Sequence, residues 1–213
     1  MGFWYWICHT ASRIFAKMVN TYRVENREGL SAIEGGLIIA SNHVSFLDPP
    51  LIGVACREPI YYFARRTLFD HPAANFILTR IRALPVDQQK PELSILKKII
   101  QLLLDDEKVL IFPEGERSWD GQLKMEGQPG VGMIVAKSKV PVLPVRLFGP
   151  EKSLPRGVKK VKRHPVTLVV GEPIDFSELL ADKSIGAKEK YQIIANRIME
   201  SIAELEMSES RGE

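Results

Sequence analysis

Two side chains that can carry out acid–base chemistry together, His43 and Asp48, lie five residues apart in this sequence. A carboxylate beside an imidazole can fix the tautomer and orientation of the ring, which a general base requires. The same residues are equally well explained if Asp48 only caps a helix and His43 is an ordinary loop histidine. The pair alone therefore leaves catalysis and capping open.

The elements around this pair place it where α/β proteins bind ligands. The short apolar run at residues 36–40 is bounded by glycines and predicts a fully buried strand. Asp48-Pro49-Pro50 predicts a helix start, with Asp48 as the N-cap and Pro49 in the first turn, where a missing N–H is harmless. His43 and Asp48 thus share a tight turn at the carboxyl end of a strand.

A second polar turn, residues 113–118, follows another predicted strand at residues 108–112. Gly115 allows the backbone to turn or to approach a ligand closely. Arg117 offers a planar fork of donors that suits a phosphate or a carboxylate, and we expect Glu114 to hold it in place. An exposed turn with an accidental ion pair is the competing interpretation.

Length and composition indicate one ordinary globular domain. The chain has 213 residues, of which 45% are hydrophobic and 26% charged, and its net charge of +3 does not by itself imply nucleic acid. Cys8 and Cys56 form neither a C-x-x-C pair nor a metal-ligand pattern, which is typical of a reduced cytosolic protein. No uncharged apolar run of about 18 residues predicts a transmembrane helix.

The N-terminal segment, residues 1–19, predicts an amphipathic helix in front of an α/β domain at residues 20–213. Its apolar residues recur at helical spacing: Phe3, Trp4, Ile7, Ala11, Ile14, Phe15 and Met18. The aromatic run Trp4-Tyr5-Trp6 suits a membrane interface, and a helix packed on its own domain is the alternative. The basic residues between 152 and 163 either belong to a solvated loop or help to hold the protein on an anionic membrane.

The rest of the chain alternates β-rich runs with amphipathic runs. Strands are expected at residues 22–25, 36–40, 60–64, 83–86, 108–112, 140–147 and 166–170. Helices are expected at residues 51–55, at 68–81 with a start or break at His71-Pro72, from Pro91 to Leu103, at 129–139 and at 188–207. Pro141 and Pro144 place the 140–147 strand at an edge or a bulge, and Gly130 and Gly132 suit a closely packed helix. The pattern predicts a single α/β domain with a mixed, partly parallel sheet flanked by helices, preceded by the N-terminal helix.

Three segments together resemble the glycerolipid acyltransferase family, and in particular the 1-acylglycerol-3-phosphate O-acyltransferases. The first is the HX4D motif Asn42-His43-x-x-x-x-Asp48, followed about 65 residues later by Phe112-Pro113-Glu114-Gly115-x-Arg117-Ser118. Val140-Pro141-Val142-Leu143-Pro144-Val145 is similar to the fourth motif of the family. The resemblance spans residues 36–147, and the order and spacing of the motifs match the family.

The resemblance implies an enzyme of phospholipid biosynthesis that acylates a hydroxyl of a lysophospholipid, most simply 1-acylglycerol-3-phosphate. His43 would be the general base and Asp48 would orient it, while the thioester of acyl-CoA or of an acyl-carrier protein supplies the acyl group. The acceptor would be bound by Glu114, Gly115, Arg117 and Ser118, with Arg117 on its phosphate, and Pro144 would shape the donor site. The family needs no metal or cofactor, and a peripheral position on the cytoplasmic face of the membrane is implied.

Gln88 departs from the family pattern, because the second motif usually ends in an arginine that contacts the acceptor phosphate. Either Arg80, Arg82 or Lys90 supplies the missing charge, or the acceptor is another lysolipid. Glu116 also replaces a more common threonine and adds negative charge beside Arg117. A catalytically silent lipid-binding protein and a thioesterase, in which His43 activates water, remain the alternatives from other functional classes.

Overall fold

The computed structural model describes residues 3–19, 21–87, 93–158 and 160–208. Its helices are α1 (Phe3–Val19), α2 (Asp48–Ala55), α3 (Pro72–Arg80), α4 (Leu93–Leu104), α5 (Pro129–Ser138), α6 (Pro150–Ser153), α7 (Ser177–Ala181) and α8 (Ala187–Glu204). Its strands are β1 (Tyr22–Glu25), β2 (Leu37–Ser41), β3 (Tyr62–Arg65), β4 (Ala83–Val86), β5 (Lys108–Ile111), β6 (Val142–Phe148) and β7 (Val166–Val170). Short 3₁₀ segments cover Arg27–Ser31 and Arg66–Phe69.

Within the described residues the strands form a five-stranded sheet with the order β1-β7-β6-β2-β5. All neighbours in it are parallel except β6 and β7. The parallel pair of β3 and β4 continues the sheet beyond β5 through a bridge between Tyr61 and Val109. The predicted α/β domain with a mixed, partly parallel sheet is confirmed.

The buried strand β2 positions the His43 turn. Its side chains alternate, so that Leu37 and Ile39 pack under α1 and α2 while Ile38 and Ala40 pack under α4, α5 and α8. Because β2, β5 and β6 are parallel, their carboxyl ends meet at one edge of the sheet. The turns after β2 and β5, which carry the two predicted motifs, leave the sheet at this edge.

Helix α1 packs against α2 through a face that the sequence pattern did not identify. Tyr5 and Ala16 are buried, and Cys8, His9 and Ser12 lie on the same stripe of the helix. Outside this stripe, Trp4, Trp6 and Ile14 are 45%, 56% and 54% exposed. The helix is therefore packed on its own domain and still presents aromatic side chains to the outside. None of the described helices combines the length and the apolar character needed to cross a bilayer.

The proline-containing strand β6 lies between β7 and β2, so its predicted position at an edge is wrong. The Pro144 carbonyl accepts a hydrogen bond from Gly171 N–H, and Val142 and Ile174 exchange two further hydrogen bonds. Residues 172–173, which lie between these hydrogen bonds, are therefore opposite a single residue of β6. This arrangement is a β-bulge, which was the other predicted alternative. The bulge lies next to Pro144, which has no N–H group to donate to a neighbouring strand.

The helical pattern at residues 68–81 is divided in the structure. A 3₁₀ segment covers Arg66–Phe69, and α3 begins at Pro72 with His71 in the N-cap position. The predicted start at His71-Pro72 is confirmed, because proline has no N–H to lose in the first turn of a helix.

The predicted close packing of α5 is confirmed for Gly132 and wrong for Gly130. A Cβ atom at Gly132 would overlap the carbonyl oxygen of Tyr191 in α8, whereas a Cβ atom at Gly130 would meet nothing within 4 Å. Of the two glycines, Gly132 alone is needed for the contact between α5 and α8.

We expect Gly132→Ala to lower the free energy of unfolding by about 1–3 kcal/mol, because the added methyl group forces α5 away from α8. Gly130→Ala in the same helix is the matched control, and we expect it to leave stability unchanged or to raise it by up to about 1 kcal/mol. Urea unfolding followed by circular dichroism measures both. A midpoint for Gly132→Ala equal to that of the wild type would contradict the close contact.

Candidate active site

His43 and Asp48 form a hydrogen-bonded pair at the carboxyl end of β2. The distance from His43 Nδ1 to Asp48 Oδ2 is 2.8 Å, and the imidazole is stacked on the ring of Phe112 with 3.9 Å between centroids. Because a carboxylate accepts hydrogen bonds, Nδ1 carries the hydrogen atom and donates the hydrogen bond to Asp48. The other ring nitrogen, Nε2, is left as the basic nitrogen. The pair therefore has the tautomer of a general base.

Asp48 is the first residue of α2 and not its N-cap, so the predicted capping role is wrong. Its Oδ2 atom points back into the turn, where it also accepts hydrogen bonds from the backbone N–H groups of Val44 and Ser45 at 2.7 and 2.8 Å. Complete burial raises the pKa of Asp48, and the hydrogen bond and charge of His43 oppose this rise. The carboxylate thus fixes both the turn and the imidazole, while Pro49 takes the first turn of the helix as predicted.

The second predicted motif is joined directly to the backbone of His43. Glu114 Oε1 accepts a hydrogen bond from His43 N–H at 2.8 Å, and Ser118 N–H donates to the His43 carbonyl at 2.8 Å. The predicted pairing of Glu114 with Arg117 is therefore replaced by a contact with His43. The Ser118 hydroxyl donates to Asp120, so Ser118 reaches the site through its backbone. These hydrogen bonds join the turn after β2 and the turn after β5, which are distant in sequence, into one unit.

Arg117 is 8% exposed and lies beside this unit, with its guanidinium 3.4 Å from the ring centre of Phe46. Its Nη1 atom is buried and has no hydrogen-bond partner among the described residues. Burial lowers the pKa of Arg117, and the charges of Arg156 and Arg65 lower it further. A buried cation with an unused donor is suited to binding an anionic ligand.

Gly115 has a φ of 76°, so the predicted turn requires the conformational freedom of glycine. Pro144 is buried in β6 and follows the alternation of the strand, on the same side as Val142, which packs under α8. The site cavity lies on the opposite side of the sheet, under α1 and α2. The structure therefore brings His43, Asp48, Glu114, Gly115, Arg117 and Ser118 together and leaves Pro144 apart from them.

A largely apolar cavity of about 380 Å³ opens beside His43 and Arg117. Apolar side chains from α2, from β3 and the 3₁₀ segment after it, and from α3 and its C-cap residue form much of its wall, among them Val54, Phe63, Ala64, Leu68, Leu78 and Ile81. The buried stripe of α1 closes it with Tyr5, Cys8, His9 and Ser12. These α1 residues follow helical i, i+3, i+4, i+7 spacing, which is the signal that could have identified them in the sequence.

Two of the residues proposed to replace the charge missing at Gln88, Arg82 and Arg80, are engaged elsewhere in the structure. The Arg82 guanidinium pairs with Glu107 at 2.7 Å, at the amino end of β4, whereas the site lies at the carboxyl ends of the strands. The Arg80 guanidinium lies over the rings of Phe76 and Trp4. Gln88 and Lys90 themselves lie outside the described residues.

Parallel strands ending at a His–Asp pair beside an apolar cavity are the arrangement of an α/β enzyme, with His43 as its candidate general base. A model of the Acyltransferase family matches residues 21–147, and the chain belongs to this family. The resemblance seen in the motifs is thereby confirmed.

Individual relatives agree with this assignment. The chain is 31% identical over 207 residues to 1-acyl-sn-glycerol-3-phosphate acyltransferase of Bacillus subtilis (strain 168). The aligned region covers 95% of this chain and 96% of that relative. It is 28% identical over 166 residues to the chloroplastic 1-acyl-sn-glycerol-3-phosphate acyltransferase BAT2 of Brassica napus, covering 76% of this chain and 48% of that relative. The crystal structure of the 1-acyl-sn-glycerophosphate acyltransferase PlsC from Thermotoga maritima has the same fold, with a TM-score of 0.73 at 22% identity over 96% of this chain and 81% of that chain.

Proposed function

We propose that this protein is a 1-acyl-sn-glycerol-3-phosphate acyltransferase, which moves a fatty acyl group from a thioester donor to the free hydroxyl of 1-acylglycerol-3-phosphate and forms phosphatidate. The observation that carries the proposal is the His43–Asp48 pair at a cavity that Arg117 also lines. A base, an anion-binding cation and an apolar wall are what a phosphate-bearing lysolipid requires. The name of the Bacillus subtilis relative, which is matched over 96% of its length, supports the choice of substrate.

The reaction follows from the fixed tautomer of His43. Nε2 takes the hydroxyl proton of the acceptor while the hydroxyl oxygen attacks the thioester carbonyl carbon. The tetrahedral intermediate then collapses, the C–S bond breaks, and the imidazolium returns the proton to the departing thiolate sulfur. Asp48 stabilises the imidazolium between the two proton transfers. The acceptor is itself the nucleophile, so these steps use no covalent enzyme intermediate, metal or cofactor.

The remaining motif residues assist binding in different ways. Arg117 binds the acceptor phosphate through its unused donor. Glu114 and Ser118 act on the backbone of His43, and Gly115 gives the loop the turn that brings Arg117 to the cavity. Pro144 acts only indirectly, through the shape of β6.

The proposed activity is tested by mixing the protein with 1-acylglycerol-3-phosphate and either acyl-CoA or acyl-carrier protein. We expect phosphatidate from at least one donor, and the comparison identifies the donor class. Absence of phosphatidate with both donors would overturn the proposal. Release of free fatty acid at the same rate without acceptor would assign the protein as a thioesterase instead.

We also propose that the protein acts as a peripheral protein on the cytoplasmic face of the membrane. The outward residues Trp4, Trp6 and Ile14 of α1 are suited to headgroup depth, and α1 closes the cavity with its other face. A lysolipid could then pass from the bilayer into the cavity beside this helix. The basic segment at residues 152–163 adds attraction to anionic lipids.

Deleting residues 1–19 is a poor test of membrane contact, because Tyr5 and Ala16 belong to the core. We expect the double change of Trp4→Ser and Trp6→Ser to reduce sedimentation with anionic phospholipid vesicles at least about tenfold, since two interfacial aromatic rings are lost. Leu104→Ser removes an equally exposed apolar side chain at the end of α4 and is the control. Unchanged sedimentation of the double variant would overturn the proposed membrane surface.

A further inference from the structure

Helix α1 brings polar side chains to a cavity whose other helices contribute apolar ones. Cys8, His9 and Ser12 line the cavity from one stripe of α1. The side chains that α2 and α3 contribute to the same cavity are all apolar, such as Val54 and Leu78. A polar group in such a wall is costly unless it has a hydrogen-bond partner, so the polar side chains of α1 need an explanation.

Two of these side chains, His9 and Ser12, do not use their polar atoms within the protein, and we call them the polar pair. The His9 Nε2 atom is buried and has no hydrogen-bond partner among the described residues. The Ser12 hydroxyl likewise forms no hydrogen bond with the part of the chain that the structure describes, although a serine in a helix can bond to the carbonyl one turn earlier. Because they are three residues apart, the two side chains are neighbours on one face of α1.

The polar pair lies toward the end of the cavity that contains His43. Ser12 is beside Pro50 at the start of α2, the helix that follows the turn of His43. Tyr5, at the other end of the same stripe, lies near Cys56, which follows the end of α2. The two helices therefore run in opposite directions. At a rise of about 1.5 Å per residue, Ser12 is about 10 Å nearer than Tyr5 to the end that contains the general base.

A bound 1-acylglycerol-3-phosphate has three polar parts, and two of them already have partners. Its phosphate binds Arg117 and its free hydroxyl lies at His43, so its chain follows the apolar wall of the cavity. The third part is the ester group at the head of the chain, which enters the cavity only a few bonds away from the reacting hydroxyl. An ester carbonyl in apolar surroundings needs a hydrogen-bond donor, and a hydroxyl and a neutral imidazole can each supply one.

We propose that His9 and Ser12 form an ester subsite, in which both side chains donate hydrogen bonds to the carbonyl oxygen of the 1-acyl group. The Ser12 hydroxyl rotates to suit the ligand, and rotation about the soft χ2 torsion of His9 turns its Nε2 atom toward the carbonyl. The subsite selects a lysolipid whose chain is attached through an ester over one attached through an ether, which has no carbonyl oxygen. This inference rests on the proposed function and gives α1 a part in substrate recognition.

The test compares 1-palmitoyl- and 1-O-hexadecyl-glycerol-3-phosphate, two acceptors with the same headgroup and the same number of chain carbons, with a single acyl donor. We expect the wild type to prefer the ester in kcat/KM by about tenfold, which corresponds to two neutral hydrogen bonds. His9→Leu and Ser12→Ala should each reduce this preference to about threefold or less, and the double variant to within about twofold. His9→Gln should retain most of the preference, because its amide keeps a donor.

Thr10→Val is the matched control, because Thr10 is the neighbour of His9 on α1 and is not among the described residues that line the cavity. We expect its rates and its preference to match the wild type. Thermal melts show whether each variant is folded, and Ser12→Ala, which helices favour, carries the test should His9→Leu not fold. An equal loss of activity with both acceptors would indicate only a structural role and would overturn the ester subsite, as would a wild type without a preference.

Equilibrium binding of the same two lysolipids, measured without a donor, separates this inference from the proposed function. We expect the wild type to bind the ester about tenfold more tightly than the ether, and the double variant to bind both about equally. Equal binding of ester and ether by the wild type would overturn the ester subsite. If the wild type forms no phosphatidate but keeps the difference in binding, only the proposed function is overturned.

Discussion

His43→Ala should abolish acyl transfer while the protein stays folded. Removing the imidazole removes the base that accepts the hydroxyl proton and the acid that returns it, and we expect the rate of phosphatidate formation to fall by at least about 10³-fold. The fold should survive because the links between the two turns use the backbone of residue 43, through Glu114 and Ser118, and not its side chain. Asp48 also keeps its hydrogen bonds from Val44 and Ser45.

Initial rates of product formation, together with a thermal melt of each variant, check this expectation. His71→Ala is the matched control, since His71 is an exposed histidine in the N-cap position of α3. We expect it to keep full activity. Undiminished transfer by the folded His43→Ala variant would reject His43 as the base, whereas retained binding of lysophosphatidate without any transfer by the wild type would favour the silent lipid-binding alternative.

The meeting of the two motifs could be predicted from the sequence because it follows from sheet topology. Two buried apolar runs, each followed by a polar turn, imply parallel strands whose carboxyl ends share an edge. In the structure β2 and β5 are neighbours, with Ala40 opposite Ile111. The contacts that join the turns could not be predicted in this way, because Glu114 has a plausible partner in sequence, Arg117, and a different one in space, His43.

The packing face of α1 shows a different limit of pattern analysis. The most apolar stripe was expected to face either a membrane or the domain, but the domain packs on the stripe of Tyr5 and Ala16, where polar and small residues close a cavity. Hydrophobicity alone cannot identify a face that lines a ligand site. Arg65, the last residue of β3, also lines the cavity and was missed for a related reason, because its position follows from the sheet and not from a local sequence pattern.

Asp48→Asn and Asp48→Ala should separate the two tasks of this carboxylate. Three donors converge on Oδ2, from His43, Val44 and Ser45, while Oδ1 is buried without a partner among the described residues. Asparagine can place its carbonyl oxygen at the Oδ2 position, so the turn and the tautomer of His43 should be kept. The amide has no charge to stabilise the imidazolium, and its NH₂ group takes the unpartnered position, which costs about 1–3 kcal/mol of stability.

We therefore expect Asp48→Asn to lower the turnover number by about 10²- to 10⁴-fold with a folded protein. Asp48→Ala should match or exceed that loss and also lower the free energy of unfolding by about 3 kcal/mol or more, because it leaves two buried backbone N–H groups without acceptors. Turnover numbers and urea midpoints of the two variants, measured side by side, give both effects. Near-normal turnover by Asp48→Asn would show that the carboxylate serves only to shape the turn, since the amide keeps the shape and removes only the charge.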